Sequence, residues 1–263
     1  MLVFSAIVPH PPILIPNVGK EHLAELDKTI RAYNMLEDDL NKANPDTIII
    51  ISPHGELNID AFNINTEQNY ISRFEQFGDF STENKFKADL QFINELKEVN
   101  ETKLPVQLIS DPQLDHGAGI PLYYLTRKNK TRRIVPISYS YLPARKHIEF
   151  GETIKQAAFN LDKRYAIIAS GDLSHRLSQD APAGFSPKAK DFDKKLIQLL
   201  KKKNIDGILN MDPEIIEEAG ECGLRSILIL LGAIKNMNFE FEMLSYEAPF
   251  GVGYLVAEGN LGN

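Results

Sequence analysis

No tryptophan and a single cysteine, Cys222, occur in a chain of 263 residues. One thiol cannot close an internal disulfide, so the fold does not depend on an oxidising compartment, and a cytoplasmic location is the expectation. Positive charge is also short. Twenty-nine lysines and arginines stand against 36 aspartates and glutamates, a net charge of -7, which gives no basic stripe for a phosphate backbone and no polybasic membrane anchor. Nucleic acid is not an expected partner. No apolar stretch is long enough to span a bilayer. The apolar opening MLVFSAIVPHPPILIP lacks a basic leading region and is broken by His10 and its prolines, so it does not read as a signal peptide. Internal repeats and low-complexity linkers are missing too. A chain of this length, 43% hydrophobic, can bury a substantial core and reads as one domain over residues 1–263.

What is present is an alternation of two periodicities. Apolar, β-branched runs bounded by turn residues recur at LVFSAIV, DTIIIIS, PVQLIS, RRIVPIS, YAIIAS, FEMLSY and GVGYLVAEG, and these read as mostly buried strands. Helical spacing of apolar residues falls between them, over 21–43, 87–99, 120–127, 146–161, 188–203 and 223–235. The expected fold is α/β, a three-layer α/β/α sandwich with a mostly parallel or mixed central sheet, the last two strands pairing as an antiparallel hairpin. Residues 62–84 lack clean periodicity and read as a long irregular excursion, either over the site or as an ordinary surface loop.

Three apolar runs lead into histidines: FSAIVPH at His10, TIIIISPH at His54 and YAIIASGDLSH at His175. Carboxyl ends of parallel strands share one edge of an α/β sheet, where ligands bind, so such histidines can converge on a metal. His116 lies in LDHGAGIPL, a loop-like composition. Asp115 and Asp172 either orient imidazoles or serve as cap and turn residues. His22 and His147 sit among charges and read as surface residues. Glu217, Glu218, Glu221, Cys222 and Arg225 cluster ahead of an apolar helix, where a carboxylate is favoured by the helix dipole and a cysteine packs as a small core residue.

Taken in order, IVPHPP, SPHG, LDHGAGIPL, SGDLSH, ECGLRS and YEAPFGVGYLVA resemble the LigB-like class III extradiol dioxygenase superfamily, particularly its Memo-like branch, known from the AmmeMemoRadiSam system. The resemblance implies iron(II) held by His10, His54 and Glu221, with His175 as the acid/base and His116 lining the substrate pocket. Cys222 is the alternative third ligand. A His/His/Glu set suits Fe(II) or Mn(II), whereas a thiolate shifts preference towards Zn(II) or Cu. The implied substrates are a catechol-like or aminophenol-like aromatic and dioxygen; Tyr139, Tyr141, Phe185 and Phe250 could stack on such a ring. The other implied reading is a Memo-like metal-binding accessory protein without dioxygenase activity, beside a radical-SAM or AMMECR-type partner. Hydrolysis by a metal-bound hydroxide with His175 as base is a third. A homo-oligomer is expected by the same resemblance.

Overall fold

The computed structural model describes residues 1–262. Its strands are β1 (Leu2–Val8), β2 (Thr47–Ser52), β3 (Phe62–Asn65), β4 (Asn69–Phe74), β5 (Asp79–Ala88), β6 (Val106–Ile109), β7 (Gln113–Leu114), β8 (Arg133–Ser138), β9 (Tyr165–Ser170), β10 (Phe239–Glu247) and β11 (Tyr254–Leu261). They form one 11-stranded sheet in the order β10-β11-β1-β9-β2-β8-β5-β4-β7, with β3 beside β8 and β6 beside β3. The helices are α1 (Pro16–Gly19), α2 (Asp27–Ala43), α3 (Leu90–Asn100), α4 (His116–Leu125), α5 (Ala144–Asn160), α6 (Ala189–Lys201), α7 (Ile205–Leu209), α8 (Pro213–Ala219) and α9 (Leu224–Ile234).

At the centre β1, β9, β2 and β8 run parallel. Every residue of β2 and β9 is buried, because helices cover both faces and each strand must be apolar on both. Burial of each isoleucine in the Ile48–Ile51 run, all 0% exposed, is worth about 1.5–3 kcal/mol. The two helical layers can be told apart along β11, where Gly259 meets Ile234 of α9 while its neighbour Glu258 faces Asp39 and Lys42 of α2. The sandwich is therefore three-layered and its sheet mixed, with β10 and β11 antiparallel as expected.

Pro136 stands inside a central strand, where its missing N–H would ordinarily break a ladder. It falls where β8 leaves β5, after Ile134, and before it joins β3, at Ile137. The gap needs no donor there, and it opens into the cavity described below.

Residues 62–84 depart from the expected irregular excursion. They build β3, β4 and most of β5, which extend the sheet beyond β8. Much of β5 faces solvent, while the asparagines of the fully buried β3 donate to the Glu56 and Asp111 carbonyls, and in both the apolar run that marks a buried strand is missing. His147 also departs from expectation: it is 0% exposed. It shares the buried stripe of α5 with Ile148, Gly151 and Ile154, its Nε2 lies 3.0 Å from the Ser140 carbonyl, and its ring meets Phe62 edge-on.

Candidate metal centre

Parallel β1, β2 and β9 deliver their following residues to one edge of the sheet. In the segment after β1, the Tyr33 hydroxyl donates to the Pro9 carbonyl and fixes the VPHPP turn. The backbone N–H of His10 donates to Asp172 Oδ1 at 2.9 Å. The His10 ring, 1% exposed, places Nδ1 2.8 Å from Ser170 Oγ, and that hydroxyl donates to the Gly117 carbonyl at 2.5 Å. With its hydrogen committed to Gly117, Ser170 accepts from His10 Nδ1–H, and Nε2 is left as a bare lone pair.

That lone pair faces two other donors. His54 Nε2 lies 3.0 Å away and Cys222 Sγ 3.7 Å away; the three atoms all lie within 4.8 Å of one another. Cys222 arrives from the turn between α8 and α9. Gly171 and Gly223 bring this turn against the end of β9: a Cβ on Gly171 would lie 2.1 Å from the Gly223 Cα, so neither backbone could approach with a larger residue. Asp172 then donates its N–H to Cys222 Sγ at 3.2 Å, and its carbonyl accepts the Gly223 N–H at 3.0 Å.

Glu221 is not brought to this group. Its carboxylate accepts the Leu224 N–H at 2.5 Å and so caps α9, with burial pushing it up to about 7. Consecutive residues in a turn point in different directions, and here it is the thiol that turns towards the histidines.

The remaining histidines surround the trio. His116 stacks on His54, centroids 4.2 Å apart, and lies edge-on to His10 at 5.5 Å. His175 Nε2 lies 3.8 Å from Asp172 Oδ2, and its buried Nδ1 has no partner among the described residues. Burial holds His10 well below the ordinary imidazole range, holds His54 at about 4, and lowers His116 and His175. Burial also raises Asp172 to about 7 against the His10 N–H, and lifts the Cys222 thiol well above its usual value. Unprotonated imidazoles are what a metal needs, and the thiol must surrender its proton on binding. Donor type, spacing and the fixed His10 tautomer thus fit an ion held by His10, His54 and Cys222.

Asp115 serves α4, accepting the Ala118 N–H at 3.1 Å and the Ser52 hydroxyl. Asp172 instead binds the His10 backbone and faces His175. His22 is a surface residue bonded to Glu25. Ser170, a polar strand end like any other, gave no sequence signal, whereas Phe77, from the 62–84 stretch with a place over the site among its expected roles, meets His116 edge-on at 5.2 Å. Phe77 comes from the turn between β4 and β5, and with Arg73, Gln76, His54 and His116 it lines an open cavity of about 780 Å³. His10, Cys222 and His175 are not among its lining residues.

A family model described as the catalytic LigB subunit of aromatic ring-opening dioxygenase matches residues 5–257. The chain belongs to the LigB family. Among curated relatives, a Clostridium acetobutylicum protein with no activity in its name is 33% identical over 258 residues, 94% of this chain and 55% of its own length. The chain therefore spans about half of that relative. The 2-aminophenol 1,6-dioxygenase beta subunit of a Pseudomonas species is 21% identical, with 99% and 94% of the two chains covered. The 3,4-dihydroxyphenylacetate 2,3-dioxygenase of Escherichia coli is 25% identical, with 89% and 90% covered. In fold, the crystal structure of an uncharacterized Escherichia coli K12 protein superposes with a TM-score of 0.66 at 17% identity, covering 99% of this chain and all of the other. Among the described residues no helix is long and apolar enough to cross a membrane.

Proposed function

We propose that this LigB-family chain is a metal-dependent extradiol ring-cleavage dioxygenase acting on a catechol-like or aminophenol-like aromatic, with His10, His54 and Cys222 as the ligands and Fe(II) as the working metal. The observation that carries the reading is His175. A structural or storage metal has no use for a further buried imidazole beside the ligands, whereas a proton-transfer catalyst does.

A bound Fe(II) would supply open positions for both substrate heteroatoms and for dioxygen, and a path for electrons between them. The protein's own groups do the rest. His116, stacked on His54 and edged by Phe77, offers a flat wall to an aromatic ring. His175, its pKa lowered by burial, is neutral at pH 7 and able to accept a phenolic proton. Asp172 Oδ2 faces its Nε2 from 3.8 Å, where it can stabilise the imidazolium once the proton is taken.

The test is oxygen uptake by anaerobically purified protein reconstituted with Fe(II), against a panel of catechols and aminophenols, beside metal-free and Zn(II)-loaded controls. Iron-dependent uptake with a yellow ring-opened product, lost in His175→Ala with metal retained, is the expected result. Tight metal binding with no uptake on any substrate contradicts the reading.

Cys222 itself favours a second reading. A thiolate in place of a carboxylate shifts preference towards Zn(II) or Cu, and suits a Memo-like metal-binding accessory protein, one that acts with a radical-SAM or AMMECR-type partner. Zinc or copper at one ion per chain in the purified protein, and inactivity after iron exchange, would favour it. Both readings accommodate a homo-oligomer in the cytoplasm.

A further inference from the structure

Asp193 and the C-terminal YEAPFGVGY motif take no part in the chemistry above, yet they converge on the loop that carries His175. Asp193, on α6, is 1% exposed. Its Oδ1 accepts the Ser174 N–H at 2.9 Å, and its Oδ2 accepts the Tyr246 hydroxyl at 2.6 Å. Burial raises this carboxyl to about 6 against those two donors. A Cβ on Gly253 would lie 2.1 Å from Asp193 Oδ2, so only glycine admits the carboxylate there.

Gly253 also bonds the loop directly. Its N–H donates to the Ser174 carbonyl and its carbonyl accepts the Leu173 N–H, both at 2.8 Å. Gly251, at φ +72, accepts the Leu177 N–H at 2.9 Å. From the opposite side the Ala219 carbonyl accepts the His175 N–H and the Ser174 hydroxyl, each at 3.0 Å. His175 lies in no helix or strand. These bonds hold its backbone, together with one from the Ala183 N–H to the His175 carbonyl at 3.4 Å, and the two carboxylate oxygens of Asp193 tie three separate segments together at the residue before it.

We propose that Asp193, with Tyr246 and Gly253, is a positioning clamp that fixes the His175 imidazole against the metal site. The kinetic consequence rests on His175 acting as the acid/base, as proposed above; the geometric consequence does not. A neutral apolar residue would fill the same space without a carboxyl's desolvation cost. The carboxyl is explained by its two acceptors facing donors on different segments. Displacing a catalytic group by about 1 Å costs on the order of 100-fold in rate, so the clamp affects turnover more than binding.

The experiment compares Asp193→Leu, Asp193→Asn and Tyr246→Phe in the metal-loaded full chain. Three quantities are read: bound metal, kcat and KM on the best aromatic of the panel, and the His175 imidazole NMR signals with their pH titration, assigned through His175→Gln. Asp193→Leu is expected to keep its metal and its KM, to lose at least about tenfold in kcat, and to shift the imidazole signals and midpoint. Asp193→Asn, whose amide oxygen still accepts the Ser174 N–H, is expected to restore both. Wild-type imidazole signals and kcat in Asp193→Leu overturn the clamp, as does a fall in kcat that merely tracks metal loss. If Asp193→Leu does not fold, unchanged signals in Tyr246→Phe overturn it. A wild type that turns over no aromatic defeats the proposed function, while the imidazole comparison still decides the clamp.

Discussion

Ser170 decides which nitrogen of His10 faces a metal, because its hydroxyl hydrogen is committed to Gly117 and its lone pair to Nδ1–H. Removing such an outer partner typically costs 10- to 100-fold in metal affinity. Ser170→Ala is therefore expected to weaken binding by about that factor and, because the buried Gly117 carbonyl and His10 Nδ1–H lose their partner, to cost about 1–3 kcal/mol of stability, checked by competition with a calibrated chelator and by denaturant unfolding. The choice between Cys222 and Glu221 can be read from pH. The thiol is held above its usual pKa by burial, so binding through it releases about one proton and affinity climbs about tenfold per pH unit from about pH 7.5 to 9. A carboxylate titrating at about 7 would be mostly ionised across that range and give little slope. Metal stoichiometry separates the same two residues, with Cys222→Ser expected to lose the ion and Glu221→Gln to keep it. Residue by residue, His10, His54, His116 and His175 were legible because each follows strand-like or loop-like chemistry in the sequence. Which of Glu221 and Cys222 faces the two histidines was not, since adjacent residues in a turn diverge and sequence does not say which one turns inward. Nor was the burial of His147: charged neighbours masked a helical stripe that its spacing to Ile148, Gly151 and Ile154 already contained.

Among the elements, β1, β2, β8 and β9 declare themselves because strands covered on both faces must be apolar throughout. β3, β4 and β5 do not, for they carry Asn, Ser, Thr, Glu and Lys among their apolar residues. These unread strands carry the turn that places Phe77 on His116. Phe77→Ala is expected to raise KM several-fold for aromatic substrates while metal content stays at the wild-type value, as separate kinetic and metal assays would show. An unchanged KM means the ring binds elsewhere. The turn carrying Cys222 depends on two glycines in backbone contact. Gly171→Ala forces them apart, and the expected outcome is loss of metal in a protein whose circular dichroism remains that of a folded α/β chain.

For the whole molecule, a mixed sheet with its parallel centre brings β1, β2 and β9 to a common edge, and every group of the candidate metal centre sits on or beside that edge. The LigB family match spans residues 5–257, so the motifs near both termini belong to one arrangement: the first histidine follows β1, and β11 at the other end of the chain lies next to it in the sheet. The two relatives named as dioxygenases share 21% and 25% identity with this chain, which leaves its own substrate to experiment. The most direct test supplies isotopically heavy dioxygen to the Fe(II)-loaded protein with the best catechol or aminophenol and analyses the product by mass spectrometry. Ring-opened product carrying both labelled oxygen atoms, absent from His10→Ala, is the predicted result. Metal-loaded protein that returns the aromatic intact, or oxidised without labelled oxygen, contradicts the account.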